Sequence, residues 1–226
     1  MLSDGIRNQI KIGENIFRLI CKDGRVIDNP EINGLQVIFQ GRMGGTVEIE
    51  EDAVFHNTKI YAGGAGFIRI NKTHPKGIKN VTIKTVCPCP YKYLLIDEGC
   101  SIEQAVFMLV NDEDLVVKIG KDCMLSSGIF FRAADGHTIF DVNTKNVMNY
   151  SSPIIIGDHV WIGANSTFLK GAEVASNSIV GTHSLVTKKF SKQFCAIAGI
   201  PANVVREGIN WDRLRITEYK QHLSVK

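Results

Sequence analysis

The segment "FRAADGHTIFDVNTKNVMNYSSP", Phe131 to Pro153, carries His137 two residues after Asp135 in a polar stretch that also holds Gly136 and ends on Pro153. A neutral imidazole is well matched to taking up a proton near neutral pH, which makes His137 a candidate general base. Asp135 is a candidate to orient that ring, although in an irregular loop a backbone carbonyl could do the same. Two further histidines, His159 and His183, stand 24 residues apart and could in principle ligate a metal. Of the six cysteines only Cys87 and Cys89, in "VCPCPY", lie close together, and no paired CxxC is present. In a reducing compartment the six read as small buried apolar residues rather than as ligands or disulfide partners.

The elements that must position His137 follow from a period. Ile156, Ile162, Phe168, Val174, Val180 and Val186 recur every sixth residue, which fits neither a helix nor a simple strand. Within each hexad the fifth residue is small or compact: Val160, Ser166, Ala172, Ser178 and Ser184. A short flat strand followed by a tight corner reorients the chain once per hexad, and three such strands close a triangular coil. Coils stacked about 4.8 Å apart place each large apolar residue above its equivalent in the next coil. Ile119, Leu125 and Phe131 give an earlier coil, Ile96, Ile102 and Met108 another, and Ile49, Phe55, Tyr61 and Phe67 keep the step of six. "NKTHPKGIKN" and "VCPCPYKY" interrupt it. The period fails between Phe131 and Ile156, so about residues 132–155 are read as an excursion loop thrown out of the prism. A rigid scaffold favours catalytic groups on such a loop. The chain reads as one all-β domain, with a cap over 1–45, a β-helix over 46–206 and a tail over 207–226 that holds a short helix near Asp212 to His222. Trp161, last in its hexad, should point outward.

At 226 residues, 44% hydrophobic and 22% charged, the chain can bury one sizeable core. A net charge of +3 is too small to argue for nucleic acid. No run approaches the length of a transmembrane segment and the first residues lack a secretory core, so the expected location is cytoplasmic.

With "IGDHVWIG", "IVGTHSLVTKK" and "AIAGIPANVVREGINWD" on the page, the sequence resembles the hexapeptide-repeat acyltransferases over roughly Ile119 to Asp212. It is most similar to bacterial capsule and surface-polysaccharide O-acetyltransferases, including those acting on polysialic acid. In that superfamily a histidine on an excursion precedes the tryptophan of "IGxxVWIG" by 24 residues, the separation of His137 and Trp161. The resemblance implies a left-handed parallel β-helix and a homotrimer with active sites between subunits. It implies direct transfer of acetyl from acetyl-CoA to a sugar hydroxyl without metal, with His137 as base and Trp161 walling the acetyl and acceptor pocket. Backbone N–H groups at Gly163 and Ala164 are then candidates to stabilise the developing oxyanion. Ala164, Thr182, Thr187, Lys188 and Arg206 fall on the family's cofactor-contacting positions, with Lys188 and Arg206 meeting phosphate. Thr182 stands where alanine is frequent.

Three other readings compete. A zinc carbonic anhydrase on the same prism would need His159 and His183 to converge on one ion, yet a spacing of one coil plus one face puts them on different sides of one chain. An N-acetyltransferase of a nucleotide-linked amino sugar would be expected to carry an added nucleotide-binding domain, and this N-terminus shows no βαβ pattern. A non-catalytic scaffold would have no reason to keep both His137 and Trp161. Serine and small-molecule acceptors also stay open, and the acceptor sugar is not legible.

Overall fold

The computed structural model describes residues 4–224. Short strands alternate with tight corners and wind into a triangular prism whose three faces are parallel sheets of nine, eight and seven strands, counting the antiparallel strands at two edges. The first face runs through Asn15–Ile20, Gly45–Glu50, Gly66–Ile70, Lys92–Ile96, Leu115–Ile119, Ile154–Ile156, Glu173–Val174 and Lys189–Phe190. The second includes Ser101–Ile102, Met124–Leu125, Trp161–Ile162, Ile179–Val180 and Cys195–Gly199. The third includes Thr58–Ala62, Val81–Lys84, Ala105–Met108, Ile129–Arg132, Thr167–Leu169 and Leu185–Val186. Strands of each face pair with their equivalents one turn on, so the described residues form six coils with a strand on all three faces, preceded by a partial coil that lacks a second-face strand and followed by one that lacks a third-face strand.

The hexads occupy the places their composition calls for. Ile156, Ile162, Phe168, Val174, Val180 and Val186 all point into the prism and are buried. The fifth residues lie buried at the corners, where Ser166 Oγ donates to Gly163 O at 2.8 Å and Ser184 Oγ to Gly181 O at 2.7 Å. The small side chain therefore also satisfies corner carbonyls that would otherwise be buried unpaired. The fourth residues, His159, Asn165, Gly171, Asn177 and His183, all have φ between 52° and 77°, the left-handed conformation that turns each corner. Asn and His are enriched in that region, so the spacing of the two histidines follows from the turn.

Two sequence expectations are corrected. The prism does not begin at residue 46. Asn15–Ile20 pairs in parallel register with Gly45–Glu50, and Leu35–Phe39 with Thr58–Ala62, so the segment read as a cap contributes the first coil. The phase also slips. Ile60, Ile68 and Phe107 are the fully buried positions, whereas Tyr61 and Met108 are half-buried and Phe67 joins Tyr93 and Val116 in a separate apolar cluster. Longer strands and wider corners are the cause. Ile60 pairs with Ile83 and Phe107 with Phe131, steps of 23 and 24 residues, while Phe168 pairs with Val186 eighteen residues on. At the other end Ala202–Glu207 folds back antiparallel on Cys195–Gly199, and the terminal helix spans Ile216–Ser224.

Candidate active site

The third-face strand Ile129–Arg132 ends at a corner, and the chain leaves the prism there and returns at Ile154. Its position is fixed from inside by Phe131, stacked between Phe107 and Phe168 at centroid distances of 4.6 and 4.8 Å. The excursion closes on itself as a small hairpin. Phe140 bridges Val147, and Asp141 Oδ1 accepts from the N–H groups of Asn143 and Thr144.

His137 lies at the base of this hairpin with its side chain exposed. Asn149 holds its backbone: Asn149 Nδ2 donates to His137 O at 2.8 Å and to Asp135 Oδ2 at 2.9 Å, while Asn149 Oδ1 accepts from Ile139 N–H at 2.8 Å. Lys170, from the corner one coil further on, donates to Asp135 Oδ2 at 2.6 Å and to Asn149 O at 2.7 Å. Asp135 is thus committed to Lys170 and Asn149. The Lys170 hydrogen bond first, and the Asn149 amide second, hold its carboxyl below the ordinary carboxylate value. Its carboxylate braces the loop beneath the histidine instead of meeting the imidazole, the contact raised as a candidate from sequence. Lys170 and Asn149 carried no signal in the sequence. His137, Asp135, Asp112, Glu113, Asn111 and Tyr150 are among the residues lining a cavity of about 270 Å³.

Trp161 stands on the second face, outward and 39% exposed. It borders a different and larger cavity, about 990 Å³, between that face and the C-terminal tail. Trp211 packs there, stacked on His159 at 4.3 Å and 6.3 Å from Trp161 between centroids. His159 Nδ1 faces Asp122 Oδ2 at 2.8 Å, and Arg213 Nε donates to Asp122 Oδ1 at 3.0 Å. The network of Trp211, Arg213 and Asp122 moors the tail, a role sequence reasoning missed. His183, on another corner, has its Nε2 3.3 Å from Asn165 Nδ2. Within one chain the structure does not bring His137 and Trp161 together; each opens into its own cavity.

The positions matched to the cofactor spread over neighbouring corners of the last coils. Ala164 and Thr182 are stacked one above the other, half-buried and exposed respectively. Thr187 and Lys188 follow the third face and are exposed, as is Arg206 in the returning strand opposite Ala196. Lys188 Nζ donates to Asn203 Oδ1 at 3.0 Å. Gly163 does not fit its expected role. Its N–H already donates to Val180 O at 2.7 Å, and a Cβ there would meet Thr182 N at 2.7 Å. It lets adjacent corners approach, and its N–H is not free to receive an oxyanion.

Comparison with known proteins agrees with this architecture. The family profile "Bacterial transferase hexapeptide (six repeats)" matches residues 153–188. A polysialic acid O-acetyltransferase of Escherichia coli O1:K1 / APEC is 38% identical over 109 residues, covering 48% of this chain and 35% of that protein, so the chain spans about a third of that relative's length. A polysialic acid O-acetyltransferase of Neisseria meningitidis is 34% identical over 166 residues, 70% of this chain and 77% of the relative. Among solved structures, the polySia specific acetyltransferase NeuO superposes with a TM-score of 0.57 at 25% identity, covering 86% of this chain and 100% of that one. The prism is accordingly the left-handed β-helix of such acetyltransferases. Identity sustained across most of a relative's length, over a prism of the same kind, settles the kinship: the chain belongs to the hexapeptide-repeat acyltransferases.

Proposed function

We propose that the protein transfers acetyl from acetyl-CoA to a hydroxyl of a surface-polysaccharide sugar, with sialic acid in a capsule as the foremost acceptor and His137 as general base. One observation carries the reading: an exposed imidazole stands at the base of an excursion that Asn149 and Lys170 brace from below, in a chain similar to two polysialic acid O-acetyltransferases. A sugar hydroxyl attacks a thioester only if its proton leaves as the bond forms, and a positioned imidazole supplies that step. The thioester brings its own leaving group, so no covalent enzyme intermediate is required.

The donor would lie along the corner of Ala164 and Thr182, its extended arm parallel to the stack. Lys188 and Arg206 are exposed on the last coils, where a phosphate would find charge-assisted donors. Of the two N–H groups proposed for the oxyanion, Ala164 is the one that stays a candidate, because Gly163 N–H is taken by the ladder. Trp161 and His137 would come from different chains of a trimer. The separate cavities support that arrangement, as do the exposed Phe140, Val142, Met148 and Tyr150 on the hairpin, which leave an apolar surface for a second copy to cover.

The test is acetyl transfer to polysialic acid oligomers, with a galactoside as comparison acceptor. His137→Ala is expected to keep its fold and acetyl-CoA binding while kcat falls by about 10²- to 10⁴-fold. Near-normal turnover by that variant would remove His137 from the chemistry. A preference for the galactoside would remove the acceptor.

A further inference from the structure

The tail makes polar contacts out of proportion to its packing. Besides its bond to Asp122, Arg213 donates from Nη1 to Ser101 Oγ at 2.8 Å and from Nη2 to Gly99 O at 3.2 Å and Cys123 O at 3.1 Å. Trp211 Nε1 donates to His159 O at 2.9 Å, and Trp211 O lies 3.1 Å from His159 Nε2. The contacts therefore fall on the same corner, ahead of the second face, in three successive coils: residues 99–101, 122–123 and 159. Asp122 joins them, one carboxylate oxygen facing His159 Nδ1 and the other taking Arg213 Nε. The Trp211 ring is buried between partners of both kinds, parallel to the His159 ring within 9° and with the Arg213 guanidinium 5.6 Å from its centroid. Beyond it the helix Ile216–Ser224 buries no residue, so this bonding does not serve to pack the helix. What it fixes is the Trp211 ring. That ring meets Trp161 with planes 48° apart at 6.3 Å, within the spacing and tilt of favourable aromatic pairs. Trp161 itself belongs to a strand of two residues and stands outward in register with Met124 and Ile179 of the neighbouring coils, two flexible aliphatic side chains.

We propose that Trp211 is a positioning residue for Trp161, and that Arg213 and His159 are the clamp that holds it there. The tail then sets one wall of the acetyl and acceptor pocket from behind, a role that rests on the reading of Trp161 as that wall. An exposed ring on a two-residue strand has several rotamers open to it, and a rigid neighbour selects among them. A wall displaced by an ångström changes how a sugar hydroxyl lines up with the thioester carbonyl, and such misplacement costs rate even when its origin is remote from the chemistry. The donor's phosphates, read as meeting Lys188 and Arg206, lie on other elements and stay bound.

The chain holds two tryptophans, Trp161 and Trp211, so labelling the full chain with 5-fluorotryptophan gives two ¹⁹F resonances, assigned with Trp161→Phe and Trp211→Phe. In Arg213→Gln both resonances are expected to move while circular dichroism keeps the strand signal of the prism. With polysialic acid oligomers as acceptor, kcat/KM is expected to fall by about 10- to 100-fold with the KM for acetyl-CoA within about twofold. Trp211→Leu leaves Arg213 and Asp122 paired and guards against a folding defect in the first variant; it should shift the Trp161 resonance and lower transfer to a similar extent. A Trp161 resonance that stays in place in both variants overturns the proposal and makes the tail a structural staple, and this reading needs no turnover. Normal transfer by both variants overturns it as well. Trp161→Ala separates the two failures: slow transfer there with normal transfer in Arg213→Gln and Trp211→Leu sinks the clamp alone, whereas near-normal transfer by Trp161→Ala removes the wall itself and the clamp with it.

Discussion

Of the side chains around His137, Lys170 has the furthest-reaching contacts, joining the Asp135 carboxylate to the Asn149 carbonyl and so tying the excursion to the next coil. Lys170→Met is expected to leave the prism folded and lower kcat by about 10- to 100-fold, the effect of displacing a catalytic group by an ångström or so. Hydrogen exchange across residues 135–149, raised in the variant, would confirm the cause. The sign of the pH dependence follows from Asp135. Its folded pKa lies below the ordinary carboxylate value, so the contribution of the bridge is complete above that value and is lost only as pH falls through the lowered one. Activity loss above about pH 5 therefore belongs to a group other than Asp135. An NMR titration that found Asp135 protonating in the range of histidine would contradict this division. On the donor side, Lys188→Ala and Arg206→Ala are each expected to raise the KM for acetyl-CoA more than that for a donor lacking the 3′-phosphate, because charge-assisted bonds to phosphate are worth about 1.5 to 3 kcal/mol.

Among the elements, the third face depends most on one column of side chains. Phe107, Phe131 and Phe168 stack ring on ring through three coils, all fully buried, with planes 2° and 16° apart. Phe131 is the middle ring and also sits on the strand that launches the excursion. Truncating a buried phenylalanine removes its transfer energy and leaves a cavity that facing strands cannot collapse. Phe131→Ala is expected to cost about 3 to 5 kcal/mol in chemical denaturation. Phe131→Leu, which refills part of the space, should cost less. Equal losses in the two variants would mean that the stacked rings contribute more than their volume. The corners impose a different constraint, since the fourth hexad position must hold φ near +55°, which His159 and His183 satisfy at 52° and 55°.

At the scale of the whole molecule, the question is how many chains build one site. Exposed apolar residues gather on the hairpin, at Trp161 and along the terminal helix, where Ile216 is 76% and Leu223 55% exposed. A trimer should scatter light as three copies of the 25.0 kDa chain. Complementation gives a sharper test. His137→Ala and Thr182→Arg, both at exposed positions, should each be nearly inactive alone and should recover turnover when co-assembled, because some interfaces then pair an intact His137 with an intact Thr182. No recovery, with mixed assembly verified by mass, would place both residues of a working site in one chain. Among the described residues no helix is long and apolar enough to cross a membrane.

The sequence by itself determined the prism between Ile154 and Val186, because each strand there is two or three residues long and each corner uses a fixed number, so stacking in space appears as spacing in the chain. It also determined that His137 leaves the prism, since a broken period is as visible as an intact one. Where strands lengthen to five or six residues and corners vary, equal rise per coil no longer means equal residue count. The first coil from Asn15 and the inward phase of Ile60 and Phe107 became readable only from strand pairing. Tertiary structure alone decided the surroundings of the site. Lys170 reaches Asp135 across 35 residues because one coil lies on the next, Gly163 lost its N–H to the same stacking, and Lys92 was left buried at the start of its strand with no hydrogen-bond partner among the described residues.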